Sequence, residues 1–151
     1  MTNNNNKPYS IQLSEITTRL FANCQEKETK HASKYGVSVV ESRCIKILYD
    51  HNQLTVNQLA KQMSLTSSRI TRIVDNLVTK QLVIRESGHD DRRIFNLFLS
   101  EKGKKLAEAL IENYTTIHEE ILNNIPEEYQ QPMIVILTHL NNAIEKLLKK
   151  I

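Results

Sequence analysis

Residues 55–100 read TVNQLAKQMSLTSSRITRIVDNLVTKQLVIRESGHDDRRIFNLFLS. Thr55 can start a short helix, and Leu59, Ala60 and Met63 follow at helical spacing. Ser64, Leu65 and Thr66 leave room only for a tight connection. Thr66 is a good N-cap for a further helix to about Lys80, with a core stripe of Ile70, Ile73, Val74, Leu77 and Val78. Two short helices joined so closely make a helix-turn-helix. Two strand-like runs follow, Leu82 to Ser87 and Ile94 to Leu99. In the second, Phe95, Leu97 and Leu99 alternate with Ile94, Asn96 and Phe98. Between the runs lies a polar turn, Gly88 to Arg93, with a charged tip. A hairpin placed directly after a helix-turn-helix is a wing.

The flanks are helical. From Ser10 to about Tyr35, Leu13, Ile16 and Leu20 share a face with Cys24 at its edge, and Gly36 ends the helix. Ser38 with Glu41 three residues on forms a capping box for a helix to about His51, with Val40, Cys44, Ile47 and Leu48 as its expected buried face. Ser100 can cap a long helix in which Ala107, Leu110, Tyr114, Ile117 and Ile121 form a heptad-like seam. Leu137, Leu140, Ile144, Leu147 and Ile151 repeat that spacing. Proline is poorly tolerated inside an α-helix, so a break near Gln131 is expected, with the last regular helix beginning there. The predicted fold is mainly α with a small β-hairpin wing. Residues 1–9 are expected to form a disordered tail. Residues 10–151 form one domain, with a winged core at 37–100 and dimerisation helices at 10–36 and 101–151. A domain this small cannot cover both seams alone, and a second copy would do so.

Composition narrows the function classes. The chain has 151 residues and no run near the roughly 18 apolar residues of a membrane span. It starts with no signal-peptide pattern, so the expected compartment is the cytoplasm, without a membrane partner. Cys24 and Cys44 lack Cys-x-x-Cys spacing, and a disulfide framework is not expected. Residues 55–104 hold nine basic and five acidic residues, an excess of four in a chain of net charge +3. Positive charge is therefore concentrated on the helix-turn-helix and hairpin, as attraction to phosphate requires. The five histidines are scattered without metal-ligand spacing, and three glycines form no phosphate-cradling loop. No cofactor, metal or catalytic set is expected.

On the helix after Thr66, a core centred on Ile70 puts Ser68, Arg72, Asp75, Asn76 and Thr79 on the opposite face, with Arg69 and Thr71 on the flanks. Short hydroxyls and arginines suit phosphate and base-edge contacts. The expected DNA-binding residues on this helix are Thr66, Ser67, Ser68, Arg69, Thr71, Arg72 and Asn76. Asp91, Arg92 and Arg93 extend the set at the wing tip. There Asp91 can hold Arg93 extended, Arg92 suits a phosphate, and a narrow minor groove attracts arginine. A polar helix face or a charged turn is by itself ordinary solvated surface. Their succession favours duplex DNA as the partner.

The run Ile70-Thr71-Arg72-Ile73-Val74-Asp75-Asn76-Leu77-Val78, then Leu82-Val83-Ile84-Arg85, Asp91-Arg92-Arg93 and Leu97-Phe98-Leu99-Ser100-Glu101-Lys102-Gly103, resembles the MarR family of bacterial regulators. The likeness extends over about residues 10–150. Ser100 stands where members carry threonine. The resemblance implies a dimer joined through the N- and C-terminal helices. It places the helix after Thr66 in the major groove and the wing toward the minor groove. Many members of that family release DNA when a small molecule binds or when a cysteine is oxidised, and release by a small-molecule effector is the expectation for this chain. The chain is thus expected to be a non-enzymatic repressor acting as a homodimer on a pseudo-palindromic operator. A DNA-binding protein without effector, and a dimerising module that has lost DNA binding, are the alternatives.

Overall fold

The computed structural model describes residues 7–87 and 95–150. The order is α1 (Tyr9–Lys34), α2 (Val39–His51), β1 (Leu54–Thr55), α3 (Val56–Met63), α4 (Ser67–Thr79), β2 (Val83–Ser87), β3 (Phe95–Leu99), α5 (Glu101–Asn123) and α6 (Glu127–Leu148). The chain divides into two compact units, residues 1–111 and 112–151.

In the first unit the helix boundaries follow local chemistry. Gly36 takes φ 69°, the left-handed conformation that ends α1. Ser38 Oγ accepts from the Glu41 N–H at 3.3 Å, and Glu41 Oε2 accepts from the Ser38 N–H at 2.7 Å, which completes the box that starts α2. Thr55 and Gln58 make the same exchange at the start of α3. Ser100 Oγ accepts from the Gly103 N–H at 3.0 Å and caps α5.

Ile45, Leu48, Leu59, Ile70, Val74, Leu77 and Leu97 are fully buried in one core that joins α2, α3, α4 and the sheet. Burial of each such side chain stabilises the fold by about 1.5–3 kcal/mol relative to exposure. The α2 stripe is centred differently from expectation. Ile45 and Glu41 are buried with Cys44 and Leu48, whereas Val40 and Ile47 are only half-buried. On α4, Val78 is 39% exposed and lies outside the stripe.

The sheet has three antiparallel strands in the order β1-β3-β2. Val83 pairs with Leu99 and Ser87 with Phe95, so the hairpin register is set by the buried pair at its base. The third strand, β1, pairs Leu54 with Leu97 and Thr55 with Asn96. Two residues are too few to display alternation, which is why no strand is readable there.

The seam expected on α5 divides. Ala107 and Leu110 are buried in the first unit's own core. Tyr114 and Ile121, in the second unit, are exposed. In that unit Gln130 Nε2 donates to the Leu122 and Ile125 carbonyls at 3.1 and 3.0 Å and fastens the turn between α5 and α6. Helix α6 begins at Glu127, not near Gln131, and runs through Pro132. Proline in the second turn loses the single bond to the Glu128 carbonyl, which the surrounding turns tolerate. None of the residues of α6 is buried, and Ile134, Val135, Ile136, Leu137, Ile144, Leu147 and Leu148 are exposed. Among the described residues, no helix is long and apolar enough to cross a membrane.

Candidate nucleic-acid interface

Helix α4 owes its position to both of its ends. Ser64, at φ 53°, turns the chain out of α3 in the left-handed conformation. Thr66 caps α4, its Oγ1 accepting from the Arg69 N–H at 3.4 Å. Ser67 Oγ donates to Asn57 Oδ1 at 2.9 Å and ties the first turn of α4 to α3. At the far end Lys80 Nζ donates to both oxygens of Glu41 and to the Gly36 carbonyl, at 2.9, 2.9 and 3.0 Å. Ile70, Val74 and Leu77 anchor the inner face between these ends.

The outward face is polar as expected. Ser68, Arg72, Asp75, Asn76 and Thr79 are all exposed, as are Thr66, Ser67 and Arg69. Thr71 is half-buried, and its Oγ1 donates to the Ser67 carbonyl at 2.9 Å. Thr66 Oγ1 and Ser68 Oγ share a hydrogen bond at 3.2 Å, so both hydroxyls sit at the mouth of the helix. Among the described residues, Arg69 and Arg72 have no ion-pair partner. Their guanidinium groups remain available to an anionic surface. Asp91, Arg92 and Arg93 lie outside the described residues.

Asp75 is compensated. Arg85 Nη1 on β2 donates to Asp75 Oδ1 at 3.3 Å. The same guanidinium lies over the Phe95 ring, 3.9 Å from its centre. Asn57 and Arg85 both support this face, and neither was identified from sequence. Asn57 reads as an ordinary polar residue in the first turn of a short helix, and Arg85 reads as one more charge on a strand. A hollow of about 390 Å³ adjoins α4, lined by Ser38, Glu41, Ile73, Asn76, Thr79 and Lys80.

Comparison with known proteins agrees with this architecture. The model of the MarR family matches residues 37–95. The chain is 27% identical to the HTH-type transcriptional regulator MhqR of Bacillus subtilis over 119 residues, covering 79% of this chain and 82% of that protein. It is 28% identical to the HTH-type transcriptional repressor MdtR of the same organism, over 89% of this chain and 86% of that one. The structure of Streptococcus pneumoniae FabT in complex with DNA superimposes with a TM-score of 0.77 at 25% identity, covering 93% of this chain and 99% of FabT. Its capped helix-turn-helix, its three-stranded sheet and these matches together identify the chain as a winged helix-turn-helix, DNA-binding transcriptional regulator that matches the MarR family over residues 37–95.

Proposed function

We propose that this chain is a repressor that binds a pseudo-palindromic operator as a homodimer and is released by a small-molecule effector. The observation that carries the DNA contact is the outward face of α4, where Arg69 and Arg72 stand exposed beside Ser67, Ser68 and Asn76. In this reading α4 enters the major groove. Arg72 and Asn76 read base edges, and Thr66, Ser67, Ser68, Arg69 and Thr71 hold phosphates or the helix start. Asp91, Arg92 and Arg93 serve the wing at the minor groove, with Asp91 orienting Arg93. FabT, similar over nearly its whole length, has been captured on DNA, and MdtR is named a repressor.

Dimerisation is supported by apolar side chains that each unit leaves exposed. On α1 these are Ile11, Leu13, Ile16, Leu20 and Phe21. On α6 they include Ile136, Leu147 and Leu148. We assign residues 10–36 and 101–151 to the dimer and 37–100 to DNA. An effector seated in the hollow beside Asn76 and Lys80 would act directly on α4.

The test is a fluorescence-anisotropy titration with the promoter region adjoining the chain's own gene, repeated at several salt concentrations. With phosphate contacts from both protomers, the log–log slope should lie at roughly −4 to −8. A flat salt response would remove DNA as the partner. Sedimentation at matched concentrations should give a dimer, and addition of aromatic acids tests release.

A further inference from the structure

Asp75 is an acid on the exposed face of α4 that the proposed function turns to DNA, and among the described residues one side chain answers it. Arg85 of β2 pairs with Asp75 at 3.3 Å and stacks on Phe95 of β3 at 3.9 Å. A single guanidinium thus joins the recognition helix to both strands of the hairpin. The register accounts for the reach. Arg85 lies opposite Leu97, and Phe95 is its diagonal neighbour on the same face. Arg85 is 29% exposed against 57% for Asp75, so the cation is the more enclosed partner. Its Nε is buried and, among the described residues, has no hydrogen-bond partner. Among the described residues the group is therefore held by its stack and by one ion pair. Lysine offers a charge but no plane to lie on a ring.

We propose that Arg85 is a positioning residue for operator recognition. It holds the hairpin at a fixed place against α4, which sets the separation of the two DNA-reading parts, and it offsets the charge of Asp75. Arg85 itself does not touch DNA. This role rests on the DNA-binding reading above. Two reading parts held in one geometry bind together without a further ordering cost. Once the tie is cut, each part still folds, and the joint recognition of operator centre and flanks weakens.

The test uses the full chain and three duplexes: the promoter operator built with AT-rich flanks, the same operator built with GC-rich flanks, and an unrelated sequence. Arg85→Met should weaken operator binding by about tenfold, through loss of the ring stack and the ion pair. It should also compress discrimination between AT-rich and GC-rich flanks, while preferences at the central positions persist. Arg85→Lys should restore less than half of the lost flank discrimination, because it returns the charge without the stack. Asp75→Asn keeps the stack and loses the pair, and should give a smaller loss in the same direction. It also serves should Arg85→Met fail to fold. Full rescue by lysine, or an equal fall of central and flank discrimination, would show a general structural role and overturn the proposal. A parent that binds its operator beside an Arg85→Met variant with unchanged flank discrimination overturns the role of Arg85 alone. A parent indifferent to duplex DNA overturns the DNA reading and this role with it.

Discussion

Both carboxylate oxygens of Glu41 stand 2.9 Å from Nζ of Lys80, which spends its third hydrogen on the Gly36 carbonyl. Glu41 is 6% exposed, so the start of α2 and the end of α4 meet over a nearly buried ion. Burial pushes the Glu41 carboxyl up. The Ser38 N–H and the Lys80 ammonium outweigh it and hold the group below the ordinary carboxylate value. The sign follows. A depressed native value adds stability above the unfolded carboxylate range, and that stability is lost as pH falls through the native value. Glu41→Gln should cost about 1–3 kcal/mol at neutral pH, since one acceptor is lost beside a half-buried cation. The variant should then converge on the parent as the medium is acidified. Urea unfolding across that range checks it, and parallel curves for the two proteins would rule it out.

Gly103 lies against the backbone of Leu82. A methyl group on Gly103 would stand 2.0 Å from the Leu82 carbonyl oxygen and 3.3 Å from Leu99 Cδ2. That carbonyl already accepts from the Ser100 N–H at 3.0 Å, so it cannot withdraw without loss. Gly103→Ala should therefore destabilise the fold by at least about 2–3 kcal/mol, at the upper end of ordinary overpacking. A thermal-unfolding midpoint within error of the parent would show that the strand-to-helix junction yields more easily than its geometry indicates.

Cys44 is enclosed at 0% exposure, with its Sγ 3.0 Å from Met63 Sδ. Burial, reinforced by the nearby Glu41 charge, raises its thiol to about 12. The nucleophile is the thiolate, so Cys44 should be inert toward disulfide reagents while the protein is folded. A thiol titration near pH 8 should release Cys44 only when denaturant unfolds the chain. Rapid labelling of Cys44 in the native state would point to local opening of α2.

What sequence disclosed and what it withheld divide along one line. Features set by neighbours in the chain were readable. Ser38 with Glu41, Thr66 before Arg69, Gly36 after α1 and the alternation of Leu97 and Leu99 each express a local rule. Features set by partners distant in the chain were not. Glu41 reads as a capping residue, and only the fold brings Lys80 to it from 39 residues away. Arg85 reads as strand charge until Asp75 and Phe95 arrive beside it. Ala107 and Leu110 have the spacing of an intermolecular seam, and the chain's own core claims them. Pro132 shows the converse case, a local prohibition overridden by the helix on either side of it. The outward face of α4 was legible because a single buried stripe fixes what must point away.

Arg69 and Arg72 lie three residues apart on α4, both exposed, and they should fail differently. Arg72 belongs to the face directly opposite Ile70, alongside Asn76, where a major-groove helix meets base edges. Arg69 flanks that face in the first turn of α4, its N–H bonded to the Thr66 hydroxyl, and under the proposed docking it would meet phosphate, as groups at a helix N-terminus commonly do. Arginine on a base edge forms a bidentate pair with one base type, whereas arginine on phosphate is indifferent to sequence. Arg72→Ala should therefore cost about 1–3 kcal/mol on the operator and flatten preference at particular central positions. Arg69→Ala should weaken operator and unrelated duplex alike and reduce the salt slope by about 1 for each lost phosphate contact. Neither residue contributes to the buried core, so circular dichroism and the unfolding midpoint should match the parent. Titrations of both variants against single-position operator substitutions, at two salt concentrations, separate the two patterns. If Arg72→Ala weakened every duplex equally and left positional preferences intact, base reading would have to move to Asn76 or elsewhere on α4. If neither variant weakened binding, the outward face of α4 would not be the surface that meets DNA.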